Sequence, residues 1–112
     1  AKMYDEGLSG IQGLHLPVVA DKCTHVYHIY NIRTSRRNEL QEFMNSKGIG
    51  TIIHYPVPPH LQNAYKDLGL KKGDFPIAEL IAETCLSIPL YPGLQDSEIN
   101  YIIDTIRNFL GS

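Results

Sequence analysis

Apolar positions in this chain recur every three to four residues in some stretches and every two in others, and the changes of spacing mark its elements. Met3, Tyr4, Leu8 and Ile11 share one helical stripe, which Gly7, Gly10 and Gly13 are expected to end. No capping residue precedes it. A helix without a start signal reads as the tail of a longer one, so residues 1–13 are expected to be a truncated helix plus loop, cut from a larger protein. Leu14-His15-Leu16-Pro17-Val18-Val19 reads as a strand, and Pro17 places it at a sheet edge. From His25 to Arg33 β-branched and aromatic residues dominate, which predicts a long strand with Val26, His28, Tyr30 and Ile32 on one face.

Thr34-Ser35 supplies cap chemistry for a helix over RRNELQEFMNSKG, with Leu40, Phe43 and Met44 as its buried stripe and Gly48 as a left-handed stop. Thr51 to Tyr55 predicts another strand, so two strands bracket one helix. Leu61 to Leu68 predicts a short helix before Gly69. Pro76 opens a further helix whose apolar face is Ile77, Leu80 and Ile81. Cys85 to Pro89 reads as a short strand, and Asp96 caps a last helix with a stripe of Ile99, Ile102, Ile103, Ile106 and Leu110. The interspersed elements give an α+β class: a small mixed or antiparallel sheet with helices packed mainly on one face.

With 112 residues, 43% of them hydrophobic, the chain suffices for one modest domain that buries roughly two-thirds of its unfolded surface. A net charge of -2, with charges scattered, is no footprint for nucleic acid or membrane. Without an apolar run near the roughly 20 residues that span a bilayer, and without signal-peptide features, the chain reads as soluble and cytoplasmic. Cys23 and Cys85 are far apart and outside any zinc-ligand spacing, so reduced thiols are expected and no metal site.

Candidate chemistry gathers in GIGTIIHYPVPPHLQ, Gly48 to Gln62. His54 and Tyr55 end the β-branched run, Pro56, Pro58 and Pro59 stiffen the bend, and His60 and Gln62 follow. Adjacent strand residues point to opposite faces unless the prolines twist the chain. An imidazole and a phenol both suit a polar ligand. The alternative is that Tyr55 packs and His54 caps a carbonyl, and that His60 is an ordinary helix start. His25 and His28 fall on opposite faces and make no metal pair, and His15 has no partner in sequence. Arg33, Arg36 and Arg37 form a basic cluster that suits phosphates, or else a solvated helix start. Glu39 and Glu42 read as solvated. The glycines of Gly48-Ile49-Gly50 precede a strand, the reverse of a nucleotide-binding order. Residues alone therefore give a ligand-binding or interaction domain.

GIGTIIHYPVPPHLQNAYKDLG, followed by GDFPIAELIAETCLSIPLYPGLQDSEINYIIDTI, resembles the C-terminal region of the DegT/StrS-type sugar aminotransferases. HVYHIYNIRTSRRNELQEFM and the leading KMYDEGL extend the likeness over nearly the whole chain, and HYPxPxHLQ with SIPLYPGL is its most specific part. The resemblance implies a fold type I, pyridoxal-phosphate-dependent enzyme acting on nucleotide-linked keto sugars, in the manner of bacterial deoxysugar, lipopolysaccharide or O-antigen biosynthesis. The wording most resembles enzymes making 3-amino-3,6-dideoxyhexoses on dTDP.

On this resemblance, residues 1–112 are a C-terminal small domain that closes the active-site cleft. The large domain, with the cofactor and its Schiff-base lysine, lies outside the chain. Lys2, Lys22, Lys47, Lys66, Lys71 and Lys72 do not match the family's lysine motif, so no catalytic and no cofactor-binding residue is expected here and the fragment is inert alone. His54 and Tyr55 match the family's HY pair, and His60 and Gln62 the following H-L-Q; all four are implied substrate contacts. Asn63 and Gln95 depart from common family residues at helix starts. An amino-acid donor and a homodimer of the full-length enzyme are further implications. The alternatives are a sugar dehydratase of the same family, in which a histidine replaces the lysine, and a free-standing α+β binding or regulatory module.

Overall fold

The computed structural model describes residues 1–111. Four α-helices, α1 (Lys2–Leu8), α2 (Arg37–Ser46), α3 (Pro76–Thr84) and α4 (Asp96–Leu110), accompany a three-stranded antiparallel sheet of β1 (Leu14–His15), β2 (Tyr30–Thr34) and β3 (Cys85–Ile88), in the order β1-β2-β3. The expected α+β class is what the chain adopts. Tyr30 pairs with Ile88 and Ile32 with Leu86, so these four side chains share one face. That face carries the core: Leu40 and Met44 of α2, Ile102, Ile103 and Ile106 of α4, and Tyr4 and Leu8 of α1 cluster with it.

The stripe of α4 is buried as its periodicity requires, and it holds α1 closely. Helix α1 runs through Gly7 to Leu8 instead of stopping at the glycine. A Cβ on Gly7 would lie 2.6 Å from Ile103 Cδ1, so this glycine permits helix–helix approach and does not act as a breaker. Arg107 of α4 donates to the Gly7 carbonyl at 2.6 Å and the Ser9 carbonyl at 3.0 Å, satisfying acceptors at the end of α1.

Several expected elements are shortened. The strand from His25 to Arg33 begins only at Tyr30, because β3 offers no partner beyond Ile88. Upstream, Tyr27 takes φ 52 and Val26 is 94% exposed, so the alternation expected from Val26 fails there. The expected strand Thr51–Tyr55 is reduced to one antiparallel bridge, Ile52 to Ser87, on the free edge of β3. Strand Leu14–Val19 is confined to Leu14–His15, at the edge position Pro17 implied. The helix after Leu61 is instead two 3₁₀ segments, Pro59–Leu61 and Asn63–Leu68, the second closed by Gly69 at φ 71. In α3 the expected apolar face is outward: Ile77 is 75% exposed, and Glu79 and Ala82 face inward. Glu79 is drawn in by the N–H groups of Gly73 and Phe75.

Tyr4 and Tyr30 occupy the centre of the core, and each phenol finds an acceptor: Tyr4 Oη donates to the Pro89 carbonyl at 2.6 Å and Tyr30 Oη to Asp5 Oδ1 at 2.5 Å. Burial, with the bond to Asp5 at Tyr30, pushes both hydroxyls far above the ordinary phenol range. The folded chain keeps these protons where the unfolded chain releases them. Stability from this source is therefore complete below about pH 10 and falls above it, by up to about 1.4 kcal/mol per tyrosine for each pH unit. Urea midpoints measured from about pH 9 to about pH 11 should decline, and Tyr30→Phe should decline less steeply than the parent.

Candidate functional site

The second face of the sheet is polar. Asn31 stands directly opposite Ser87, and Asn31 Nδ2 donates to Ser87 Oγ at 3.0 Å. Because Ile52 bridges to Ser87 through paired backbone bonds of 2.8 and 3.2 Å, His54 two residues later is carried alongside β3. There, His54 Nδ1 lies 2.8 Å from Ser87 Oγ, and the His54 carbonyl accepts from Cys85 Sγ at 3.5 Å. Half-buried, His54 lines a cleft of about 820 Å³ together with Thr51, Ser87, Tyr91, Glu98 and Tyr101. Thr51 Oγ1 is buried there with no hydrogen-bond partner.

Of the four site residues implied by the sequence, the structure brings two together. Tyr55 is 69% exposed and its ring makes an edge contact with His54, with centroids 5.4 Å apart at 83°. The two rings are neighbours, which strand alternation alone would not give. His60 and Gln62 go elsewhere. His60 is buried, with its ring edge-on to Phe75 and Nε2 3.3 Å from Glu79 Oε2, close but not aligned as a hydrogen bond. Gln62 Nε2 donates to the Val57 carbonyl at 3.1 Å and braces the proline bend from the solvent side. Pro58 is buried beneath that bend, and Pro59 opens the 3₁₀ segment that carries His60 inward.

Glu79 is the acceptor around which this loop is gathered. Its carboxylate takes the Gly73 N–H at 2.8 and 2.9 Å and the Phe75 N–H at 3.2 Å. The Gly73 bond first, with Phe75 and His60 adding to it, holds the carboxyl below its usual range against the opposing effect of burial. A depressed folded value means the unfolded chain binds the proton first. Stability from Glu79 is present above about pH 4.5 and is lost as pH falls through the folded value. Acid titration of the urea midpoint should show the parent losing more than Glu79→Gln over that window, and parallel curves would discard this role.

The basic cluster is dispersed. Arg37 is buried and donates to the Ala82 and Cys85 carbonyls, Arg36 pairs with Glu39 at 3.1 Å, and only Arg33 has neither arrangement. No group of three metal-ligating side chains occurs among the described residues. Cys23 is exposed and Cys85 buried, both as free thiols. No helix among the described residues is long and apolar enough to cross a membrane.

Neither lysine nor arginine lines this cleft, so its own walls supply neither a Schiff-base amine nor a cationic phosphate cradle. What the cleft does offer is His54 and Ser87 set among largely apolar walls, with Asn31 bonded to Ser87 from the neighbouring strand. Ser87 and Asn31 were absent from the sequence-derived candidates. The available signal was faint: two small polar residues on the non-core face of adjacent strands.

Residues 1–107 match the model of the DegT/DnrJ/EryC1/StrS aminotransferase family. The chain is 39% identical over 109 residues to the dTDP-3-amino-3,4,6-trideoxy-alpha-D-glucose transaminase of Streptomyces venezuelae, covering 97% of the chain and 29% of that relative. It is 41% identical over 93 residues to a pleiotropic regulatory protein of Geobacillus stearothermophilus, covering 83% of the chain and 25% of that relative. Among solved structures, S. venezuelae DesV in complex with a ketimine intermediate superposes with a TM-score of 0.96 at 38% identity, covering 99% of the chain and 30% of that structure. The chain thus spans less than a third of the length of each of these proteins.

Proposed function

The chain belongs to the DegT/DnrJ/EryC1/StrS aminotransferase family, and from that premise we propose that residues 1–112 form the C-terminal small domain of a pyridoxal-phosphate-dependent sugar aminotransferase. Its substrate is a nucleotide-linked keto sugar, of which a dTDP-linked 3-keto-6-deoxyhexose is the specific candidate. The observation that carries this reading is the extent of the family match, with the transaminase relative aligned over 97% of the chain. The cofactor supplies an electron sink for transferring an amino group from an amino-acid donor, and on this reading it is held by the remainder of a homodimeric enzyme. The small domain closes one side of the cleft.

Within that cleft His54 and Tyr55 are the substrate-side contacts. His54 offers a ring nitrogen beside the polar face of the sheet, and Tyr55 presents its exposed phenol next to it. His60 and Gln62 act through the loop: the His60 ring packs edge-on against Phe75 beside Glu79, and Gln62 ties the bend to the Val57 carbonyl. Neither side chain is turned towards His54, so their removal is expected to act on loop position.

The regulatory name of the Geobacillus relative favours a second reading, a binding or regulatory protein on the same fold. A dehydratase of the same family is a third. Absorbance of the full-length protein separates them. A pyridoxal-type band abolished by borohydride, together with amine incorporated into the sugar product, is expected for the transaminase. A cofactor that borohydride reduces without fixing it covalently to the protein would favour the dehydratase, and no band at all would favour the regulatory protein.

A further inference from the structure

Hydrogen-bond polarity along the second face of the sheet carries one inference beyond the site assignment, and it rests on reading His54 as a substrate contact. We propose that Asn31 and Ser87 are positioning residues that hold the His54 imidazole as its Nε2–H tautomer, so that it presents a donor to the sugar. The side-chain amide nitrogen of Asn31 has only hydrogens to give, so Ser87 Oγ is the acceptor in that 3.0 Å bond. The serine hydroxyl retains one hydrogen, and His54 Nδ1 lies 2.8 Å away to receive it. An accepting Nδ1 carries no proton, which places the proton of the neutral ring on Nε2.

The opposite arrangement is costly here. Were Nδ1–H to donate to Ser87 Oγ, that oxygen would accept twice, and the serine hydrogen would be stranded at a residue only 6% exposed. The chemistry of the ligand agrees with the first arrangement. A keto or glycosidic oxygen of a sugar only accepts, so a ring N–H serves it and a bare nitrogen lone pair repels it, whereas a hydroxyl can meet either. The three side chains sit on β2, on β3 and on the segment bridged to β3, so backbone pairing sets the spacing of the relay and the loop tip does not.

The relay makes a reversal available as a test. A carboxylate is nearly isosteric with the asparagine amide but accepts only, so Asn31→Asp takes the serine hydrogen and leaves Ser87 Oγ to accept from Nδ1–H. Nitrogen-15 NMR of the 112-residue chain labelled at histidine reads the tautomer from the ring nitrogen shifts, with the His54 signals assigned by their loss in His54→Gln. The parent should show the Nε2–H form in excess by about five- to tenfold, the factor expected of one ordinary hydrogen bond. Asn31→Asp should invert that ratio, and Ser87→Ala should reduce it several-fold. A parent ring protonated on Nδ1, or a ratio unchanged in either variant that retains its dispersed amide spectrum, would overturn the proposal. Turnover does not enter this readout. A His54 that proves irrelevant to the sugar would leave the tautomer result standing, and a wrong tautomer would leave the substrate contact standing.

Discussion

Arg37→Ala is expected to lower the unfolding free energy of the chain by about 3 kcal/mol, which for a domain of this size is a fall in Tm of about 13 °C. Arg37 is only 8% exposed. Its guanidinium donates from Nη1 to the Ala82 carbonyl at 2.9 Å and the Cys85 carbonyl at 3.0 Å, and from Nε to Asn38 Oδ1 at 2.7 Å. One side chain at the start of α2 thereby ties down the junction where α3 becomes β3. Truncation leaves two acceptors at buried residues unpaired as well as removing packing from the stem. Arg37→Lys should recover only part of the loss, because a single ammonium cannot reproduce the forked geometry. Urea denaturation of the parent and both variants checks this, and a midpoint in Arg37→Ala within error of the parent would refute it.

Much of this fold was legible from spacing. The stripe Ile99, Ile102, Ile103, Ile106 placed α4 correctly, and the pair Leu40 and Met44 placed the buried side of α2. Long-range pairing was not legible. The His25–Arg33 run has high β-propensity throughout, yet strand length is set by the partner, and four residues of β3 support pairing only from Tyr30 onwards. The inward turn of Glu79 in α3 was equally hidden, because it answers N–H groups of Gly73 and Phe75 that sequence periodicity does not report.

The candidate site divides in the same way. His54 and Tyr55 could be singled out from their strand-end position, and the structure sets their rings together beside the cleft. His60 is only six residues further, but Pro58 and Pro59 redirect the chain and bury it against Phe75. Ser87 and Asn31 are 56 residues apart, and only the β2–β3 register makes them a pair. A polar residue in a short apolar strand is a weak signal until its neighbour is known.

The second large effect is catalytic. If His54 contacts the sugar, His54→Ala in the full-length enzyme removes one hydrogen bond to a polar ligand, a loss of about 1.5–3 kcal/mol or roughly tenfold to 150-fold in kcat/KM. Fold is expected to be retained, because His54 is half-buried at the cleft and outside the hydrophobic core. Gln62→Ala serves as the control, since its side chain reaches only the Val57 carbonyl at the solvent-exposed edge of the loop. The decisive measurement is kcat/KM for amino transfer to a dTDP-linked 3-keto-6-deoxyhexose by the parent, His54→Ala and Gln62→Ala. The value should fall by about tenfold or more in His54→Ala and by no more than about threefold in Gln62→Ala. An active parent whose kcat/KM is unchanged by His54→Ala would contradict a substrate contact at His54.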